Sequence, residues 1–170
     1  MSEELDLAGF DGTWAIDLTR SEVRDEKTGE WVPEWLKDQD IEMRHDGDVQ
    51  TYRGVVKAAD DLTMYMGYTC AFGQQEWVPY AIVEIDGPAD HPLLKPNPTL
   101  TSGVRLGDPI AWVKQVYVDP RTHYRISKNL DGTPQYVMLR RLLEDGSILS
   151  TVIDPDGTPT IRKYFTRIAD

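Results

Sequence analysis

Three kinds of side chain in this sequence are suited to chemistry. They are histidines that titrate near neutrality, arginines set close to tyrosines, and aromatic residues spaced along extended segments. His45 and His123 are candidate general acid–base groups, because an imidazole changes charge near pH 7 without help. Tyr65 is a third candidate for proton transfer. A metal centre is not indicated: the chain has 3 histidines and 1 cysteine, with no His-x-His and no His-x-x-x-His. Asp154-Pro155-Asp156-Gly157 lacks the twelve-residue calcium loop and its terminal glutamate, so it reads as a turn. There is no Gly-rich phosphate loop and no Gly-x-Ser-x-Gly elbow, and no cofactor is expected. Cys70 has no basic neighbour within a few residues and reads as a buried, inert thiol.

What positions these groups is a succession of short extended segments. From about Ile41 onward, runs rich in β-branched and aromatic residues alternate with turn signals: Asp46-Gly47, Asn129-Leu130-Asp131-Gly132, Asp145-Gly146 and Asp156-Gly157. Asp-Gly supplies the positive φ that tight hairpins need. With Gly12 to Leu18 added, the pattern gives 8–10 strands, each too short to be a helix. Short strands joined by hairpins point to an all-β sandwich or an up-and-down antiparallel barrel, and closure would remove the exposed edges. The expectation is a single domain spanning residues 1–170. Two intervals depart from the pattern. Thr19-Arg20-Ser21-Glu22 reads as a capping box, and Pro33 suits the first position of a helical turn, so residues 19–38 are expected to form two small helical pieces. The alternative is a loop with two packing tryptophans, Trp31 and Trp35. Residues 86–108 are Pro-rich and read as a long ordered loop.

In a barrel, side chains alternate between lumen and exterior. Arg162 and Tyr164 therefore share one face and Lys163 takes the other. An inward Arg162 needs an anionic or polar partner, such as a ligand carboxylate, phenolate or carbonyl, with Tyr164 donating a second hydrogen bond. On the preceding hairpin, Val137, Leu139, Arg141 and Leu143 form the more apolar alternate set, which places Arg141 rather than Arg140 in the lumen. The alternative is that these arginines make exterior ion pairs with the abundant carboxylates. Candidate lumen aromatics are Tyr68, Trp77, Trp112, Tyr117 and Tyr136, with Tyr80 and Tyr124 beside them. Each of these also has a plain core-packing reading. The odd spacing of Tyr65 and Tyr68 requires a bulge, for instance at Gly67, if both are to face inward.

The net charge of −11 argues against nucleic acid and against anionic membrane surfaces. No stretch approaches the ~20 apolar residues of a membrane span. An acidic start, Met1-Ser2-Glu3-Glu4-Leu5-Asp6, has no apolar signal core, so the default expectation is a cytoplasmic monomer or homodimer.

Phe10-Asp11-Gly12-Thr13-Trp14 resembles the Gly-x-Trp signature on the first strand of the calycins, the superfamily of lipocalins and fatty-acid-binding proteins. The resemblance implies a structural Trp14 closing the barrel floor. A helical pair after the first strand, together with about ten strands, is similar to the fatty-acid-binding branch, where that pair serves as a lid. Arg162-Lys163-Tyr164 is similar to the Arg-x-Tyr pair that grips ligand carboxylates in that branch, and Arg140-Arg141 lies about where its second internal arginine falls. Two functions follow as expectations. One is binding of a small hydrophobic or amphipathic molecule inside the barrel. The other is a cofactor-free isomerase, cyclase, hydratase or lyase acting on a terpenoid, polyketide or aromatic compound in the same cavity.

Overall fold

Ten antiparallel strands close on themselves around a core of aromatic and aliphatic side chains. The computed structural model describes residues 4–96 and 104–170. A short 3-10 turn, Ala8–Phe10, leads into β1 (Gly12–Ile16), which pairs with both β4 (Asp38–Asp46) and β12 (Pro159–Ala169). Between β4 and β12 every neighbour in sequence is a neighbour in the sheet. These strands are β5 (Val49–Ala59), β6 (Leu62–Ala71), β7 (Val78–Asp86), β8 (Pro109–Asp119), β9 (Thr122–Lys128), β10 (Pro134–Leu142) and β11 (Ile148–Ile153). The barrel of β1 and β4 to β12 leaves no free edge.

The C-terminal meander forms for a local reason. Three turns repeat Asp-Gly-Thr or Asp-Gly-Ser: the glycines sit at φ of 90°, 85° and 86° at Gly132, Gly146 and Gly157. In each turn the aspartate carboxylate accepts the backbone N–H two residues on, at 2.9 Å from Thr133, Ser147 and Thr158. Positive φ and an Asx cap together fix the hairpin register.

Residues 19–38 differ from the expected helical pair. They form a two-strand hairpin, β2 (Glu22–Arg24) and β3 (Trp31–Pro33), laid against β12 through Val23–Ile161 and Glu22–Arg162 pairing. The capping box fails because Asp17 captures Thr19, accepting from both its N–H and its hydroxyl, and also pairs with Arg20. Asp25 then closes the hairpin turn by accepting from Lys27 N and Thr28 N, with Gly29 at φ 72°. A β-branched and aromatic run, Val23 and Trp31-Val32, favours strand over helix there.

The Pro-rich loop is anchored where it is described: Val104 N donates to Leu94 O at 2.8 Å, and Gly107 N to Ile82 O at 2.8 Å. Residues 97–103 of that expected loop lie outside the described residues. His91 lies outside the lumen on this same loop, bonded to Asp61 at 2.9 Å.

On β1, Trp14 is fully buried, and its Nε1 donates to Phe10 O at 3.1 Å. The Arg167 guanidinium lies 4.3 Å over the Trp14 ring and donates to Gly9 O and Asp11 O, tying the last strand to the first turn. Gly67 marks close approach rather than an inward-turning bulge: a Cβ there would lie 2.5 Å from Tyr52 O. Strand β6 keeps its alternation, so Met66, Tyr68 and Cys70 face in. Among the described residues no helix is long and apolar enough to cross a membrane.

Candidate functional site

The lumen is built in layers. Toward the loop-rich end it is apolar, with Val56, Leu62, Ile82, Leu94 and Val104 buried. Toward the Trp14 end it is polar and cationic. Cross-strand register sets one row directly: His123 opposes Arg140, Arg140 opposes Ser150, and Ser150 opposes Lys163, on four consecutive strands. The next residues along, Arg125 and Ser127 on β9, face the same way. Arg125 is 2% exposed and Arg140 1%, and no carboxylate lies within ion-pair distance of either among the described residues.

Aromatic rings stand in for counter-ions. The Arg125 guanidinium lies 5.0–5.7 Å from the centroids of Tyr52, Tyr68, Tyr80 and Tyr136, and donates to the Tyr136 hydroxyl at 2.8 Å. Arg140 lies 4.9 Å over Tyr52, which stacks on Tyr68 at 4.9 Å. Ring quadrupoles attract a guanidinium but carry no charge to neutralise it. Several donors and acceptors here have no partner: Arg125 Nε and Nη1, Arg140 Nε, both ring nitrogens of His123, the Gln115 amide, and the Ser127 and Ser150 hydroxyls. Native interiors leave few such groups without a reason.

Electrostatics follow from this enclosure. Burial drives His123 well below its ordinary value of 6.5, and the charges of Arg140, His45 and Arg125 add to that, so the imidazole is neutral. Burial pulls the Tyr136 phenol upward, but the Arg125 charge and hydrogen bond, with the Arg140 charge, leave it below the usual phenol range. Tyr80, without a donating arginine, is pushed well above it by burial. Lys163, lowered chiefly by burial, donates to Gln39 at 2.9 Å and faces Glu34 at 3.8 Å.

The residues singled out from sequence divide sharply. His45, His123, Tyr68 and Tyr136 face the lumen, and Tyr117 shares the inward phase at the end of β8, half-buried. Tyr80 also faces in, against Arg125; the others face outward. Arg141 is exposed and Arg140 takes the lumen instead, because the face of β10 carrying Tyr136, Met138 and Arg140 points in, where Tyr52 and Tyr68 receive the guanidinium. Arg162 lies 4.0 Å over Trp31 and pairs with Glu22 at 3.3 Å on the outer hairpin. Tyr164 stacks under Arg20 at 4.6 Å, and Tyr65 under Arg53 at 5.5 Å, both outside. Trp77 is held between Lys114 and Lys128, at 4.9 and 4.4 Å from its ring. Trp112 alternates out of phase with the buried Ala111 and Val113. For Tyr65, Trp77 and Trp112 the odd spacing from Tyr68, Tyr80 and Tyr117 decides it, since a regular strand sends only one member of such a pair inward.

Arg125 and Lys163 were not singled out. Lys163 was legible, since Ile161, Lys163 and Phe165 form the more apolar alternate set of β12; Arg125 was not. Replacing the exterior Arg162 with alanine is expected to cost no more than about 1 kcal/mol of stability, the value of an exposed pair with a ring contact. Its effect on ligand affinity should be nil, and urea denaturation beside a binding titration checks both.

No protein-family model matches the sequence, and no curated protein matches it. Solved structures do match in shape. One is a Schistosoma mansoni fatty acid binding protein in complex with arachidonic acid, 13% identical, covering 96% of this chain and 98% of that one with a TM-score of 0.56. With its closed wall of ten antiparallel strands, the chain shares the barrel fold of that fatty acid binding protein.

Proposed function

We propose that the protein binds a small amphipathic anion inside the barrel, with its acidic group against Arg140 and Arg125 and its apolar body toward the loop-rich end. The observation that carries this reading is a pair of buried guanidiniums with unpartnered N–H groups and no carboxylate in ion-pair reach among the described residues. Burying an unpaired cation is costly, so a site that keeps two of them is suited to a partner that arrives with negative charge. The four tyrosines around Arg125 favour a ligand with a flat or unsaturated body. A similar shape that holds arachidonic acid in another protein is consistent with the reading.

The test is a matched series by calorimetry: an alkyl sulfonate, the carboxylate and the alcohol of one chain length. One-to-one binding is expected, with the anions at least about tenfold tighter than the alcohol, as one charge-assisted hydrogen bond provides. Equal affinities would remove the anionic head group from the reading, and failure of all three to bind would end it.

A second reading, a cofactor-free isomerase or lyase in the same cavity, is favoured by one observation. Tyr136 is held below its usual range beside Arg125, and a neutral His123 lies farther along the same polar wall, across from Arg140. A base and an acid beside two cations suit enolisation of a carbonyl compound. Deuterium exchange at the α-carbon of bound ketones, lost in Tyr136→Phe, is the expected sign; its absence across a ketone panel leaves binding alone.

A further inference from the structure

A chain of hydrogen bonds runs from the lumen to the surface. Arg140 Nη1 donates to Tyr68 Oη at 3.5 Å, and Tyr68 O–H donates to Gln50 Oε1 at 3.1 Å. The Gln50 amide nitrogen meets His45 Nε2 at 2.9 Å, and His45 Nδ1 meets Asp11 Oδ1 at 2.8 Å. The donors and acceptors have one consistent assignment. The Gln50 amide nitrogen is a donor only, so His45 Nε2 must accept, and the ring is neutral with its proton on Nδ1, given to Asp11. In that state the Tyr68 proton is committed to Gln50, and the lumen sees only the Tyr68 oxygen.

We infer that His45 and Asp11 are positioning residues that set, through Gln50, whether Tyr68 can donate a hydrogen bond to the anion on Arg140. A proton added to His45 Nε2 would face the Gln50 amide hydrogens, so the amide must turn to present its oxygen. Gln50 then donates to Tyr68, and the Tyr68 hydroxyl proton is freed for the lumen. The inference rests on the binding reading above and adds to it a pH dependence with a definite sign. Affinity for an anion rises as His45 gains its proton, and a bound anion promotes uptake of that proton.

The surroundings of His45 allow the titration. Its side chain is 4% exposed but lines a surface cleft of about 420 Å³ with Leu5, Leu7, Asp11 and Gly47, so the proton comes directly from solvent. Asp11, from the segment before β1, favours the charged ring, and Glu4 and Asp6 line the same cleft. Arg140 from β10 opposes the charge, while the neutral His123 from β9 and Phe72, at 6.2 Å, bring none. Burial outweighs Asp11, so the transition falls below the ordinary value of 6.5.

The experiment measures the dissociation constant of anilinonaphthalene sulfonate, whose charge does not titrate, from pH 8 to pH 5. Wild type is expected to tighten about tenfold on acidification, the worth of one charge-assisted hydrogen bond. His45→Gln should be nearly flat, Tyr68→Phe should stay weak throughout, and Asp11→Asn should move the transition to lower pH. A His45→Gln protein that keeps the wild-type profile overturns the inference. Nitrogen-15 spectra of the ligand-free wild type read the relay without any variant or probe. They should show a neutral Nδ1–H tautomer whose titration moves the Gln50 side-chain amide. An Nε2–H tautomer, or a Gln50 amide indifferent to the titration, also overturns it. If the sulfonate binds at no pH while the spectra behave as expected, the binding reading fails and the relay stands.

Discussion

Arg140→Met is expected to make the ligand-free protein more stable and a worse binder of anions. Arg140 is 1% exposed, and among the described residues its guanidinium makes one long hydrogen bond, to Tyr68, and its Nε has no partner. Methionine fills similar volume without the desolvated charge, and exchanges of buried charge for apolar side chains commonly gain about 1–4 kcal/mol. Losing the guanidinium should cost an anionic ligand about 1.5–3 kcal/mol, a factor of roughly 10 to 150 in affinity. Opposite signs in one substitution mark a residue retained for function rather than for folding. Arg125→Met should gain less stability, because Arg125 keeps a 2.8 Å bond to Tyr136 and four surrounding rings. Arg141→Met, on the exposed face of the same strand, is the control and should move neither quantity. Thermal denaturation without ligand, beside titration with a sulfonate, reads both. A destabilised Arg140→Met that binds as well as wild type would mean the guanidinium is structural.

The architecture was legible because its signals are local. Asp131-Gly132-Thr133, Asp145-Gly146-Ser147 and Asp156-Gly157-Thr158 each specify a turn from three adjacent residues, and period-two patterns between them specify strands. The helical reading of residues 19–38 failed on a competitor two residues upstream of the supposed cap: Asp17 took the Thr19 groups that a capping box would use. The site was less legible because one wall is inverted. On β9 and β10 the polar sets, His123, Arg125, Ser127 and Arg140, face in, while Tyr124, Ile126, Val137 and Leu139 face out. A rule that sends the more apolar set inward therefore chose Arg141 over Arg140. Departures of this kind are expected where a cavity must receive something polar. The relay was beyond reach altogether, since Asp11 and His45 are 34 residues apart and Tyr68 and Arg140 are 72 apart.

Acid should unfold the ligand-free protein early, and His123 should be the main cause. In the folded chain burial holds His123 well below 6.5, with Arg140, His45 and Arg125 contributing; in the unfolded chain it takes its proton near that value. Between the two the unfolded state carries the extra proton, so stability is full above 6.5 and falls as pH drops below it, until the folded group also titrates. The slope for one such histidine is about 1.4 kcal/mol per pH unit. His45, also lowered by burial, adds in the same direction over a narrower window, because Asp11 offsets part of its shift. The turn carboxylates Asp131, Asp145 and Asp156 are lowered from 3.8 by the Thr133, Ser147 and Thr158 bonds, so their contribution is lost in a separate, more acidic range. Urea denaturation at pH 8, 7, 6 and 5 resolves the two ranges. His123→Leu should be more resistant to acid than wild type, by about 2 kcal/mol at pH 5 relative to the difference at pH 8. Parallel profiles for the two proteins would place the loss elsewhere. The same reasoning ties folding to the site: through Tyr68 and Gln50, an anion held by Arg140 favours the charged His45 imidazole. A bound sulfonate should therefore flatten the acid slope as well as raise stability, and a neutral alcohol of equal length should raise stability without flattening it.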